Sequence, residues 1–443
     1  MQPVKKIRYF SASSYLFVAR AAGAAAMFAS QILMARMISA DALALYFLST
    51  SVATVAGTVA SLGYPYIMAA MFGRYSAPQN AERANAFMSV SRGESLLAGS
   101  LLGFVLAVCF VVYPYTPWAE RVCFLLAIPA IPAIALIRTN SAFALARSLV
   151  STAYLGTILW RPAIFLCLAL YAVLVLHIEN AAVFTGLFTA IAIVWTLLQV
   201  YELRGETKPP SVKPDKRLTR LWRRAALPFI IVSMVGLLII DMDMLLAGTV
   251  LARKDLAVFG VCLKLAFFGG FIVDVLRELV APELGRCYAR RDIAAIQRNI
   301  ARTNFVAIAG TAAMMVGAML FGHVALNAFG PDYAAGKYTL MTLVAVQLVN
   351  AFGGPHTVLL SLKGVQHRMN GAYAAAGCVL LVLTLVLAPM LGTLGAALAV
   401  LAAFVTLNIM LATSVWRLMG MRGDVWVLVQ LGVARFAATK QIA

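Results

Sequence analysis

The chain has 443 residues, 63% of them hydrophobic and only 12% charged, where a soluble domain is typically about a quarter charged. Apolar runs of about twenty residues fill its length and leave no room for a sizeable soluble domain, which excludes a soluble enzyme. The formal net charge of +19 points to loops held in the cytoplasm and not to nucleic acid, because basic residues collect there in polytopic membrane proteins.

Taken in order, the apolar segments lie near 13–38, 43–70, 95–114, 119–138, 157–176, 180–203, 226–250, 256–276, 303–326, 337–360, 370–390 and 394–416. The first follows Lys5, Lys6 and Arg8 and is too long for the apolar part of a signal peptide, so it reads as an uncleaved helix. With twelve spans, 28 Lys and Arg fall on the side of the N-terminus, five on the other side and three at membrane depth. That asymmetry predicts both termini in the cytoplasm of a multi-pass protein of the bacterial inner membrane. The stretch RGETKPPSVKPDKRLTRLWRR carries three prolines and eight basic residues and divides six helices from six. The expected organisation is all-α: a first lobe over 1–203, a basic cytoplasmic linker over 204–225, a second lobe over 226–418 and a tail over 419–443.

The two halves echo each other. DALALYFLSTS (Asp41–Ser51) is similar to KDLAVFGVCLK (Lys254–Lys264) at an offset of 213 to 214, and LARSLVSTAYLG is similar to SLKGVQHRMNGAY at an offset near 216. Six helices per half make such repeats parallel, with a binding site expected at their interface. Pro65, Pro129 and Pro132 are expected to bend their helices. The stretch 277–303 reads as a basic amphipathic helix on the membrane surface.

Charged residues inside apolar runs cost about 2.5–3.5 kcal/mol at a helix centre and usually face a protein interior or an aqueous cavity. Arg20 sits among alanines and glycine in the first span. Arg161 opens the fifth, where it either snorkels to the interface or meets substrate, and Arg36 ends the first on the outer side, where it either snorkels or caps the helix. Asp241 and Asp243 lie in the seventh span and Lys264 in the eighth. Lys264 either pairs with one of the two acids or contacts substrate. Asp241 and Asp243 are about 200° apart around a helix, so only one can face a cavity squarely. Gln347 and Asn350 share a face of the tenth span, suited to hydroxyl groups of a sugar or to interhelical hydrogen bonds. Six scattered cysteines have no metal spacing, and no nucleophile–base pair or phosphate loop is present, so neither cofactor nor metal is expected.

Several short motifs carry a family resemblance: MARMISADALALYFL, LGYPYIMAAMFGRYSA, IDMDMLLAGTVLARKDLAVFGVCLKLA, FGPDYAAG, LSLKGVQHRMN and GTLGAALA. In this order on a twelve-helix plan, over residues 10 to 418, the chain resembles the Wzx-like flippases of lipid-linked polysaccharide units. These belong to the superfamily that includes the MATE multidrug exporters. The resemblance implies a MATE-like fold of two six-helix lobes around a cavity that opens alternately to either side. It implies a polyprenyl-pyrophosphate-linked glycan as cargo, with the polymerase and glycosyltransferases of the same pathway as partners. It also implies that Arg20, Arg36 and Lys264 hold the anionic cargo while Asp241 couples an ion. A tyrosine usual after the seventh helix is Phe259 here, which removes a hydroxyl. Two other readings stand beside it: an ion-coupled MATE-type exporter of organic cations, and a membrane enzyme of glycan assembly. The first would need acids in the first lobe's cavity, the second a large external loop.

Overall fold

The computed structural model describes residues 4–75, 78–112, 117–147, 149–206, 215–230, 242–363 and 365–428. Every regular element among them is helical, as a bilayer demands of a chain that must satisfy its own backbone. Among the described residues, ten helices are long and apolar enough to cross a membrane. Residues 231–241 of the expected seventh span lie outside the described residues, and the eighth lies within a longer helix, Arg253–Ala289.

The chain forms two compact units, Met1–Leu245 and Leu246–Ala443. The first contains α1 (Val4–Met37), α2 (Ala40–Ala60), α3 (Tyr64–Arg74), α4 (Ala81–Val112), α5 (Trp118–Ala127), α6 (Ala130–Ala146), α7 (Val150–Leu155), α8 (Arg161–Leu174), α9 (Ala181–Glu202) and α10 (Lys216–Ala226). After α11 (Met242–Gly248), the second contains α12 (Arg253–Ala289), α13 (Ile293–Asn327), α14 (Lys337–Gly353), α15 (His356–Lys363), α16 (Gln366–Leu391) and α17 (Thr393–Met419). Helix starts recur at the offsets seen in the sequence. Ala40 and Arg253 open α2 and α12, 213 residues apart, and Val150 and Gln366 open α7 and α16, 216 apart.

In the first unit, α6 is central and packs on α2, α3, α4 and α9, while α1 lies along α8. Its core is built from alanine, isoleucine and aromatic side chains, with Ala130, Ile131, Ala135 and Ala192 fully enclosed. Small residues set the spacing: a Cβ on Gly57 would lie 2.9 Å from the Ile131 carbonyl oxygen and one on Gly99 2.7 Å from Pro132 Cα. Such contacts let helices approach where the lipid tails supply no hydrophobic drive. Leu97, Leu101, Phe104 and Val108 form an exposed stripe on α4 at helical spacing, the face that meets lipid. Hydroxyls inside these helices turn back on their own backbone, as Thr54 does to Thr50 O and Thr58 to Thr54 O, both at 2.8 Å, so these donors are not left bare in an apolar surround.

The bends fall near the expected prolines. Leu62 (φ 53°) and Gly63 (φ 73°) separate α2 from α3, with Pro65 in the first turn of α3. The α5–α6 joint lies at Ile128–Pro129. Two expectations change. The stretch 277–303 is no separate surface helix: α12 runs on to Ala289 and α13 starts at Ile293. Arg291 (φ 57°) turns the chain, Asp292 N reaches Cys287 O at 3.0 Å, and Asp292 Oδ1 accepts from Ala295 N at 2.9 Å, a Schellman-like stop followed directly by an N-cap. The basic linker, in turn, is partly structured, for its second half is α10.

Candidate functional site

The sequence-selected cations of the first unit occupy two neighbouring places. Arg20 on α1 is half-buried, with its guanidinium 5.4 Å from the Tyr154 ring centroid. One turn on, Gly23 meets the backbone of Ile158 so closely that a Cβ would overlap it. α1 therefore lies against the 154–159 stretch, which contains a π-helical turn at Gly156–Trp160, the kind of local widening often found at functional positions. Arg161 follows at once, half-buried and 5.8 Å from the Phe188 ring centroid. Its Nε is buried and has no hydrogen-bond partner among the described residues. Arg161 thus points into protein and does not simply snorkel. Arg20 and Arg161 both lie beside α7–α8, at positions about 10 Å apart along it if Tyr154 marks the first, at ~1.5 Å per residue. Each rests against an aromatic face, a contact worth about 0.5–2 kcal/mol. Arg36, in the last turn of α1, is exposed.

A second polar layer in this unit was not selected from sequence. Arg92 Nε donates to Asn140 Oδ1 at 2.7 Å, and the Ser95 and Thr139 hydroxyls lie 3.2 Å apart. Tyr64 donates to Glu94 Oε2 at 2.6 Å, while Arg223 Nε and Nη2 reach Glu94 Oε1 at 2.9 and 2.8 Å. That ion pair raises the Arg223 pKa above its ordinary value, chiefly through the hydrogen bond to Glu94.

Asp243, at the start of α11 and near the C-terminal edge of the first unit, is buried (2% exposed), and its Oδ1 accepts from Met244 N at 2.7 Å. Lys264 in α12 is half-buried and forms no ion pair among the described residues. The sequence offered Asp243 and Asp241 as its partners. Asp241, the other possible partner, lies outside the described residues. Gln347 is buried (2% exposed) against Gly270 of α12, with its amide nitrogen unpartnered among the described residues. Asn350 contributes its backbone: the carbonyl accepts from Arg277 Nη2 at 2.7 Å. Gln347 and Asn350 thus share α14 and both meet α12, Gln347 through its side chain at Gly270 and Asn350 through its carbonyl at Arg277.

Just beyond, α14 stops at Gly353, Gly354 takes φ 70°, and His356 opens α15 in full burial. The chain after α17 closes over this break. Val425 N donates to Phe352 O at 3.0 Å, and Asn304 Nδ2 donates to Gly423 O at 3.2 Å. Arg277 lies outside the apolar spans of the sequence, and its contact with the Asn350 carbonyl was invisible there because the two are 73 residues apart.

No protein-family model matches the chain, and no curated protein matches it either. Solved structures do. An inward-facing multidrug resistance MATE family transporter of the MOP superfamily is similar at TM-score 0.69 and 14% identity, covering 94% of each chain. The lipid II flippase MurJ, in an inward closed conformation, is similar at TM-score 0.70 and 13% identity, over 92% of this chain and 87% of that one. A MOP superfamily transporter from Pyrococcus furiosus, whose reversed pocket polarity suggests a different function, is similar at TM-score 0.62 and 14% identity, over 96% and 95%. These relatives are transporters and a flippase, and the chain has the fold of the MOP superfamily transporters.

Proposed function

We propose that the protein flips an undecaprenyl-linked oligosaccharide, a repeat unit of O-antigen, capsule or exopolysaccharide, across the bacterial inner membrane by alternating access. The observation that carries this reading is the pair Arg20 and Arg161, half-buried at membrane depth. No acidic residue occurs in α1 or α8. A cation held at that depth costs free energy that only a partner or a function recovers, and an anionic cargo such as a pyrophosphate is the complement. The buried, unpartnered Nε of Arg161 and amide of Gln347 are donors that a phosphate or hydroxylated cargo would satisfy. Lys264 and Arg36 are further candidate cations, Asn350 is a further candidate polar group, and Asp243 with Asp241 are the candidate ion-coupling acids. The similar structure of a lipid II flippase agrees with a lipid-linked cargo, and the distribution of Lys and Arg supports cytoplasmic termini.

Deleting the protein from its native cell is expected to remove the surface glycan and to leave lipid-linked oligosaccharide in the inner leaflet. Arg20→Ala combined with Arg161→Ala should reproduce that loss with the protein still present in the membrane. Normal surface glycan in the double variant would refute the assignment of these arginines. One observation favours a MATE-type cation exporter instead: Asp243, a buried acid, falls within the first compact unit. Altered drug susceptibility with intact surface polysaccharide would select that reading.

A further inference from the structure

Helix α10 is strongly two-faced. On an ideal wheel Lys216, Arg217, Arg220, Arg223 and Arg224 fall within an arc of about 120°, and Leu218, Leu221, Trp222 and Ala225 lie on the opposite side. All five cations are exposed, and the helix contains no acid. Trp222 is fully buried: its Nε1 donates to Tyr75 OH at 3.0 Å, and its ring lies edge-on to Phe87 at 5.3 Å. Asp215 caps the helix by accepting from Arg217 N at 3.1 Å. The helix is thus pinned by its apolar face to the first unit, with a basic arc left outward. This is the disposition of a helix at a bilayer surface.

Beside it lies a cavity of about 300 Å³ walled by Leu62, Leu97, Ala98, Leu101 and Leu227. Leu97 and Leu101 belong to the lipid-facing stripe of α4 and are 69% and 62% exposed, so the slot is continuous with the bilayer. Its one polar end is formed by Tyr64, Glu94 and Arg223. There the Glu94 carboxylate is already occupied by Tyr64 and Arg223, while the Arg223 side chain stays 58% exposed.

We propose that this slot holds one acyl chain of an anionic glycerophospholipid whose phosphate rests on Arg223 and Arg224. The apolar slot and its basic head match the two parts of such a lipid in the order in which the bilayer presents them. Selectivity for an anionic over a zwitterionic headgroup follows from the charge of the arc. Each cation near the surface is worth about fivefold in affinity for an anionic lipid. The site is separate from Arg20 and Arg161 and stands whatever the transported cargo is.

The test is native mass spectrometry of the full-length protein in detergent, titrated in parallel with phosphatidylglycerol and phosphatidylcholine. The wild type should retain one phosphatidylglycerol in preference to phosphatidylcholine. Ala98→Trp fills the slot and should abolish that retention, and Leu101→Trp at its mouth serves the same end should the first variant fail to fold. Arg220→Gln with Arg224→Gln leaves the Glu94–Arg223 pair intact and should lower phosphatidylglycerol affinity by roughly tenfold or more while leaving phosphatidylcholine unchanged. Equal retention of both lipids by the wild type would overturn the proposal. So would undiminished phosphatidylglycerol in a well-folded tryptophan variant.

Discussion

Trp222→Ala tests whether α10 belongs to the first lobe's core. The wild-type indole is fully enclosed, donates one hydrogen bond at 3.0 Å and meets Phe87 and Tyr75 edge-on at 5.3 and 6.5 Å. Truncating a buried tryptophan costs about 3–5 kcal/mol. A detached α10 can lay its remaining leucines on the bilayer surface, so the lower end applies: about 3 kcal/mol, or roughly 150-fold in the opening equilibrium. Trypsin reads this directly, because Arg217, Arg220, Arg223 and Arg224 all lie on the helix. When reclosing outpaces cleavage, the cutting rate follows the open population. Trp222→Phe keeps most of the packing and loses the donor to Tyr75, so it should accelerate cleavage by only about fivefold, the equivalent of ~1 kcal/mol. Full-length protein in lipid nanodiscs, digested and resolved by mass, supplies both rates. If Trp222→Ala is cut no faster than the wild type, the helix is held by something other than this side chain, and the packing argument fails.

Gly156→Ala should lower the thermal midpoint, at a cost of about 1–3 kcal/mol, because the new Cβ would overlap the Trp195 indole. Adding Trp195→Phe should recover part of that loss in the same melting assay. Arg277→Met removes the donor to the Asn350 carbonyl beside the α14 break and should cost about 1–3 kcal/mol. Arg286→Met is its control: that side chain is 70% exposed in an ion pair with Glu283, and such pairs contribute about 0–1 kcal/mol.

Hydropathy placed the spans because bilayer thickness fixes the length of an apolar run, and proline placed the bends near Gly63 and Pro129. Charge was harder to read. Arg92, Glu94 and Arg277 fall just outside the apolar spans, since an apolar window ends where a charge appears. The helices continue past that point, and partners from distant segments, Asn140, Arg223 and Asn350, satisfy those charges. Such pairings across 48 to 129 residues leave no local signature. Arg20 and Arg161 were legible for the opposite reason: they stand alone in apolar runs, where a charge is expensive. The linker's proline and basic content concealed α10, whose amphipathic period begins only at Asp215.

The closure of the α14–α15 break by Val425 and Gly423 bears on the order in which the protein is made. Domains commonly fold as units from the N-terminus during synthesis. By the time α10 emerges, the first unit has every residue its Trp222 cluster needs. The second does not: the Phe352 carbonyl and the Asn304 amide wait for the segment after α17, translated last among the described residues. A chain halted before Gly423 would therefore leave the break at Gly353–Pro355 open, which makes that segment part of the second lobe's assembly and a natural point for quality control to inspect.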